Sequence, residues 1–107
     1  MGWKDVVEGS QGDMVLLNGN EAIARGAIEA GISFAASYPG SPTTEILETL
    51  TRVVDTKIYT EWSINEIVSL EGVAAASFAG LRAMCIMKSD GLNVAFDFLT
   101  SMNLGGC

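Results

Sequence analysis

A chain of 107 residues has room for one small domain, and 49% hydrophobic against 18% charged residues describes a folded core rather than a disordered segment. A net charge of -7, with six Lys and Arg in all, argues against nucleic-acid or anionic-membrane binding, both of which need a basic face. No apolar run approaches the length of a membrane span, and the N-terminal MGWKDVVEGSQGD lacks the apolar centre of a signal peptide, so the cytoplasm is the expected compartment. Cys85 lies inside an apolar run and Cys107 is the final residue, a pattern that offers neither a metal knuckle nor a disulfide framework.

In chain order, residues 1–12 read as a loose leader and MVLL (14–17) as a short strand. NEAIARGAIEAG follows as a helix, with Asn20 the expected N-cap and Gly31 the residue that closes it. ISFAASY is the next strand and runs into PGSPTT, where two prolines forbid regular structure before TTEILETLTRVV resumes as a helix. KIYTEW is a third strand and 64–80 a third helix, built almost entirely of small and apolar residues. RAMCIMKS carries apolar residues at successive positions, as a strand covered on both faces does, and SDGLNVAFDFLTSMN is a fourth helix entered through the Ser89-Asp90-Gly91 turn. Strands alternating with helices predict an α/β fold with a parallel sheet. The glycines before Cys107 read as a loop where another strand is due, so residues 13–107 are expected to form a partial domain, weakly stable alone or dimeric.

In open parallel sheets ligands bind beyond the carboxyl ends of the strands, and three of the loops expected there carry distinctive chemistry. Tyr38-Pro39-Gly40-Ser41-Pro42-Thr43-Thr44 is a rigid, hydroxyl-rich loop opening a helix, able to present an OH and helix N-terminal NH groups to a carboxylate. A second loop leads through Glu61 and Asn65 to Glu66, a carboxylate at the mouth of an apolar helix; desolvation there would favour sharing a proton with a ligand nitrogen. The third is Lys88-Ser89-Asp90-Gly91-Leu92-Asn93, where Gly91 permits close backbone approach. Each has a plainer reading: a turn with Thr43 as helix cap, a first-turn Glu favoured by the helix dipole, and an N-cap with its turn. The alanines 74, 75, 76 and 79 are most simply close-packing residues, and Gly19-Asn20-Glu21 is no dinucleotide fingerprint.

Taken together, LLNGNEAIARGAIEAG, SYPGSPTTEI, EWSINEIVSLEGVAAASFAGLRA and MKSDGLNVAFDFL resemble the N-terminal region of the α subunit of indolepyruvate:ferredoxin oxidoreductase. The resemblance runs in order from about residue 15 to about residue 106, and the related enzymes for pyruvate, 2-oxoglutarate and branched-chain acids are similar in the same places. It implies a pyrimidine-binding domain for thiamine diphosphate. The family's signature acid precedes, by about fourteen residues, the glycine that closes the next helix; counting back from Gly80 gives Glu66, with Glu71 as second choice. Its implied role is to hydrogen-bond N1′ of the aminopyrimidine and favour the 4′-imino tautomer that takes the thiazolium C2 proton.

The same resemblance makes Gly91 and Asn93 cofactor neighbours and assigns the substrate carboxylate to Ser41, with Pro39 and Thr43 beside it in the loop. Ala75 departs from the pattern, since relatives often carry Gly there. No GDG-type diphosphate and Mg²⁺ motif and no cysteine-rich run is present, so Mg²⁺, the [4Fe-4S] clusters and coenzyme A are assigned to other domains. The implied partners are the diphosphate-binding domain, a β subunit, ferredoxin and a 2-oxoacid, in an oligomer. By itself the chain is expected to be inactive. Two competing readings are a non-catalytic interaction module docking through its Ala-rich helix, and a Rossmann-like nucleotide binder, against which the missing glycine fingerprint stands.

Overall fold

The computed structural model describes residues 9–52 and 58–106. Most of the expected leader, the end of the second expected helix, Lys57 and Cys107 lie outside the described residues. The elements are α1 (Gly19–Glu29), β1 (Phe34–Ser37), α2 (Thr44–Thr51), β2 (Tyr59–Trp62), α3 (Glu66–Phe78), β3 (Ala83–Ile86), α4 (Ser89–Val94) and α5 (Phe96–Leu104). The strands form one parallel sheet in the order β2-β1-β3, with Ala36 opposite Glu61 on one side and Cys85 on the other. The chain is thus α/β, as the alternating pattern predicts.

Three expectations need correction. The MVLL segment is not a strand: it joins no ladder, and Met14 and Leu16 are 96% and 75% exposed. Strand propensity becomes a strand only when a neighbouring edge takes up the backbone hydrogen bonds, and here the chain passes straight into a helix cap. That cap is Asn18, not Asn20. The Asn18 side chain accepts from the Glu21 amide at 2.8 Å while the Glu21 carboxylate accepts from the Asn18 amide at 3.0 Å, a reciprocal pair that depends on a spacing of three. Finally, the last expected helix is two: Ala95, fully buried and near φ −90°, ψ 1°, separates α4 from α5.

Side-chain alternation on β1 divides the molecule into layers. Ala35 belongs to the main core with Ala24 and Ala27 of α1, Ile46, Leu47 and Leu50 of α2, and Ile86 of β3. Phe34 points the opposite way, to α3, where a Cβ on Gly72 would stand 3.5 Å from its ring; its ring also stacks on Tyr59 at 5.3 Å. Helices therefore cover both faces of β1, which explains its small, buried Ala35, Ala36 and Ser37. Truncating a leucine such as Leu50 in this core would cost about 2–5 kcal/mol.

Gly31, at φ +79°, turns the chain out of α1 as expected, and α3 opens on Asn65, whose side chain accepts from the Val68 amide at 2.9 Å. The helix mouth carrying Glu66 is thereby fixed next to the end of β2.

Candidate functional site

Because β1, β2 and β3 are parallel and in register, the segments that leave them emerge at one end of the sheet. The Ser63 amide donates to the Ser37 carbonyl at 2.8 Å, extending the pairing beyond β2 and holding the second loop beside the first. Two close approaches then join the loops. A Cβ on Gly40 would lie 3.2 Å from Lys88 Cβ, so the hydroxyl loop rests on the residue that follows β3 and its exit. A Cβ on Gly91 would lie 2.6 Å from Glu66 Cγ and 3.1 Å from its Oε2, so the Glu66 side chain lies directly against the α4 backbone.

Glu66 is half-buried at the first position of α3, where the helix dipole already favours a carboxylate. A first-turn Glu serving only the dipole has no need to fold against a neighbouring glycine. Its charge also reaches Cys85, which lies on the α3 side of the sheet through its register with Ala36: the Cys85 thiol is pushed up from 9.0 to about 11, first by burial and then by the Glu66 carboxylate. Glu71 is exposed further along α3 and does not share this setting.

The hydroxyl loop is internally braced. The Thr43 hydroxyl donates to the Gly40 carbonyl at 2.9 Å and the Gly40 amide donates to the Thr44 hydroxyl at 2.8 Å, so both threonines are committed to the loop's own shape. Thr43 occupies the N-cap position of α2 without capping it through its side chain. Pro39 and Ser41 are exposed at the tip. Gly91 is buried against Glu66, whereas Asn93 is exposed further along α4, so within that turn Gly91 makes the close approach to the carboxylate.

Sequence reasoning missed Asn20. Instead of capping α1, its Nδ2 donates to the Pro42 carbonyl at 2.8 Å and approaches Glu45 Oε1 at 3.4 Å, tying the start of α1 to the hydroxyl loop. The signal was available: once Glu21 commits Asn18 to the capping box, Asn20 is released for another partner. Ser69, one turn beyond Glu66, is fully buried and its hydroxyl has no hydrogen-bond partner. Among the described residues no three His, Cys, Asp or Glu side chains gather as a metal site, and no helix is long and apolar enough to cross a membrane.

No protein-family model matches the chain. Comparison with curated proteins is decisive. The indolepyruvate oxidoreductase subunit IorA of Archaeoglobus fulgidus is 53% identical over 102 residues, which is 91% of this chain and 16% of that protein. The corresponding subunit of Thermococcus kodakarensis is 51% identical over 96 residues, 88% of this chain and 15% of its own length. The chain belongs to the 2-oxoacid:ferredoxin oxidoreductase family, as part of its N-terminal region. The 2-oxoglutarate synthase subunit KorA of Methanocaldococcus jannaschii, 38% identical over 91 residues that make up 78% of this chain and 25% of that protein, extends the similarity across substrates. The chain spans about one sixth of the length of the IorA relatives it matches.

Proposed function

We propose that this chain supplies the cofactor-activating carboxylate, Glu66, and the substrate-carboxylate loop around Ser41 to a thiamine-diphosphate-dependent oxidoreductase that decarboxylates a 2-oxoacid oxidatively to an acyl-CoA. The observation that carries this reading is the packing of Glu66 on Gly91 at the carboxyl ends of the strands. A half-buried carboxylate lying against the α4 backbone suits a hydrogen bond with an aminopyrimidine ring nitrogen, and the glycine beneath it leaves room for the carboxylate itself.

Thiamine diphosphate, when bound, supplies a carbon nucleophile and an electron sink. Glu66 holds a proton in a hydrogen bond to the pyrimidine N1′. Gly91 keeps the carboxylate in place, Asn93 stands at the rim of the cofactor site, and Pro39, Ser41 and Thr43 shape the loop that receives the substrate carboxylate. Mg²⁺, the cofactor's diphosphate and the [4Fe-4S] clusters that would supply electron transfer to ferredoxin would be held by other domains. Indolepyruvate, or a related arylpyruvate, is the favoured substrate because relatives 53% and 51% identical to this chain carry that name. The enzyme is cytoplasmic and oligomeric and includes a β subunit.

A second reading, a non-catalytic module, draws on the exposed apolar side chains beside β2, where Trp62, Ile64 and Ile67 are 42%, 80% and 40% exposed. One experiment separates the two. Thiamine diphosphate and Mg²⁺ binding is measured by calorimetry for this chain alone and for the chain combined with its diphosphate-binding domain. Binding in the completed assembly, lost in Glu66→Gln with the fold retained, supports the catalytic role; no binding in either form leaves the module.

A further inference from the structure

We infer that Lys88 is an anion-recognition residue of this site, receiving the carboxylate of a small 2-oxoacid together with the Ser41 loop; the inference rests on the function proposed above.

Three observations place it. Lys88 follows β3 and its backbone is anchored, its carbonyl accepting from the Gly91 amide at 2.8 Å and the Leu92 amide at 3.3 Å. Its stem lies against Gly40, the residue preceding Ser41. Its ammonium stands 3.6 Å from Asp90 Oδ2 in a pair whose side chains are 50% and 84% exposed, an open arrangement of the kind that an incoming anion can replace at little cost.

Charge favours the residue. The carboxyl ends of the strands gather Glu66, Asp90 and Glu45, the last near Asn20, in a chain of net charge -7. An anionic substrate approaching these carboxylates is repelled unless a cation faces it. Among the described residues the other cations lie elsewhere: Arg25 reaches Glu29 and the Gly9 carbonyl, Arg52 ends α2, and Arg82, at the far end of β3, donates to the Ala30 carbonyl. Lys88 is the described cation at the carboxyl end of the sheet. A lysine suits the task as a flexible point charge that exchanges one carboxylate for another.

The test is a titration of the 107-residue chain combined with its diphosphate-binding domain, followed through the chain's backbone amide resonances at fixed ionic strength, with pyruvate and with uncharged methyl pyruvate. Pyruvate is expected to shift the Gly40, Ser41 and Lys88 amides, and methyl pyruvate to leave them in place. Lys88→Met should weaken pyruvate binding by about 10-fold or more, the loss expected for one charge-assisted contact. Lys88→Arg should retain it to within about 3-fold, and Asp90→Asn, which frees the ammonium, should tighten it. Equal response to the ester, unchanged binding in Lys88→Met, or no pyruvate response at Gly40 and Lys88 would overturn the inference. A parallel titration with thiamine reads Glu66 and Gly91. Thiamine binding that survives while pyruvate ignores Lys88 removes this inference and leaves the proposed function standing; loss of the thiamine response alone removes the function.

Discussion

Glu66 and Gly91, 25 residues apart in sequence, are so close that a single methyl group on Gly91 would stand 2.6 Å from Glu66 Cγ. Gly91 sits within α4 at a φ open to any residue, so its value there is space and not backbone freedom. Gly91→Ala gains roughly 1 kcal/mol of helix propensity and meets an overpacking cost of roughly 1–3 kcal/mol, because the atom to be displaced is Cγ and not the mobile end of the side chain. The variant should fold with a small net loss of stability and a displaced carboxylate. Thiamine diphosphate binding in the completed assembly is the readout, and unchanged affinity would show that the Glu66 pose is not what Gly91 protects.

The Cys85 thiol gives an independent view of the same carboxylate. With its pKa pushed up to about 11, it should react with iodoacetamide far more slowly at pH 8 than a thiol at 9.0. Glu66→Gln removes the smaller of the two causes, so alkylation should become moderately faster while burial keeps it below the free-thiol rate.

The same shift sets a pH dependence. Between pH 9.0 and about 11 the unfolded chain releases the Cys85 proton while the folded chain keeps it. The unfolded state then binds fewer protons, so this group's contribution to stability is complete below pH 9.0 and declines as pH rises towards about 11. Denaturant midpoints for wild type and Cys85→Ser across that interval should converge in slope only below it. Parallel slopes throughout would remove Cys85 as the source.

Asn20 braces the hydroxyl loop through the Pro42 carbonyl. Asn20→Ala should cost about 0.5–1.5 kcal/mol, the usual value of one such hydrogen bond, and leave the Asn18 cap of α1 intact. In the assembled enzyme the predicted signature is a higher KM for the 2-oxoacid, with bound cofactor unaffected, since the residue touches the Ser41 loop and not Glu66. A fall in cofactor affinity without a change in KM would contradict that division.

Ser69 carries a buried hydroxyl without a partner one turn from Glu66. Removing an unsatisfied polar atom while adding a better helix former should be neutral or stabilising, so Ser69→Ala is expected to raise the melting temperature or leave it unchanged. A loss of more than about 1 kcal/mol would mean that the hydroxyl is hydrogen-bonded in solution.

What could be read from the chain alone was whatever rests on short-range chemistry. The alternation of strands and helices, the Gly31 exit, the Pro-Gly-Ser-Pro break and the entry to α4 all depend on neighbours a few residues apart, and the motif resemblance singled out Glu66 and Gly91. The capping box of Asn18 and Glu21 was equally local, and Asn20 was misread only because that spacing was passed over. Tertiary structure decided the rest. Whether MVLL pairs as a strand depends on an available edge, and the order β2-β1-β3 depends on which strands meet, neither of which hydrophobic pattern encodes. Glu66 on Gly91, Gly40 on Lys88 and Asn20 on Pro42 join residues separated by 25, 48 and 22 positions. Such contacts exist because parallel pairing carries every strand exit to one end of the sheet, where residues distant in sequence become neighbours in space.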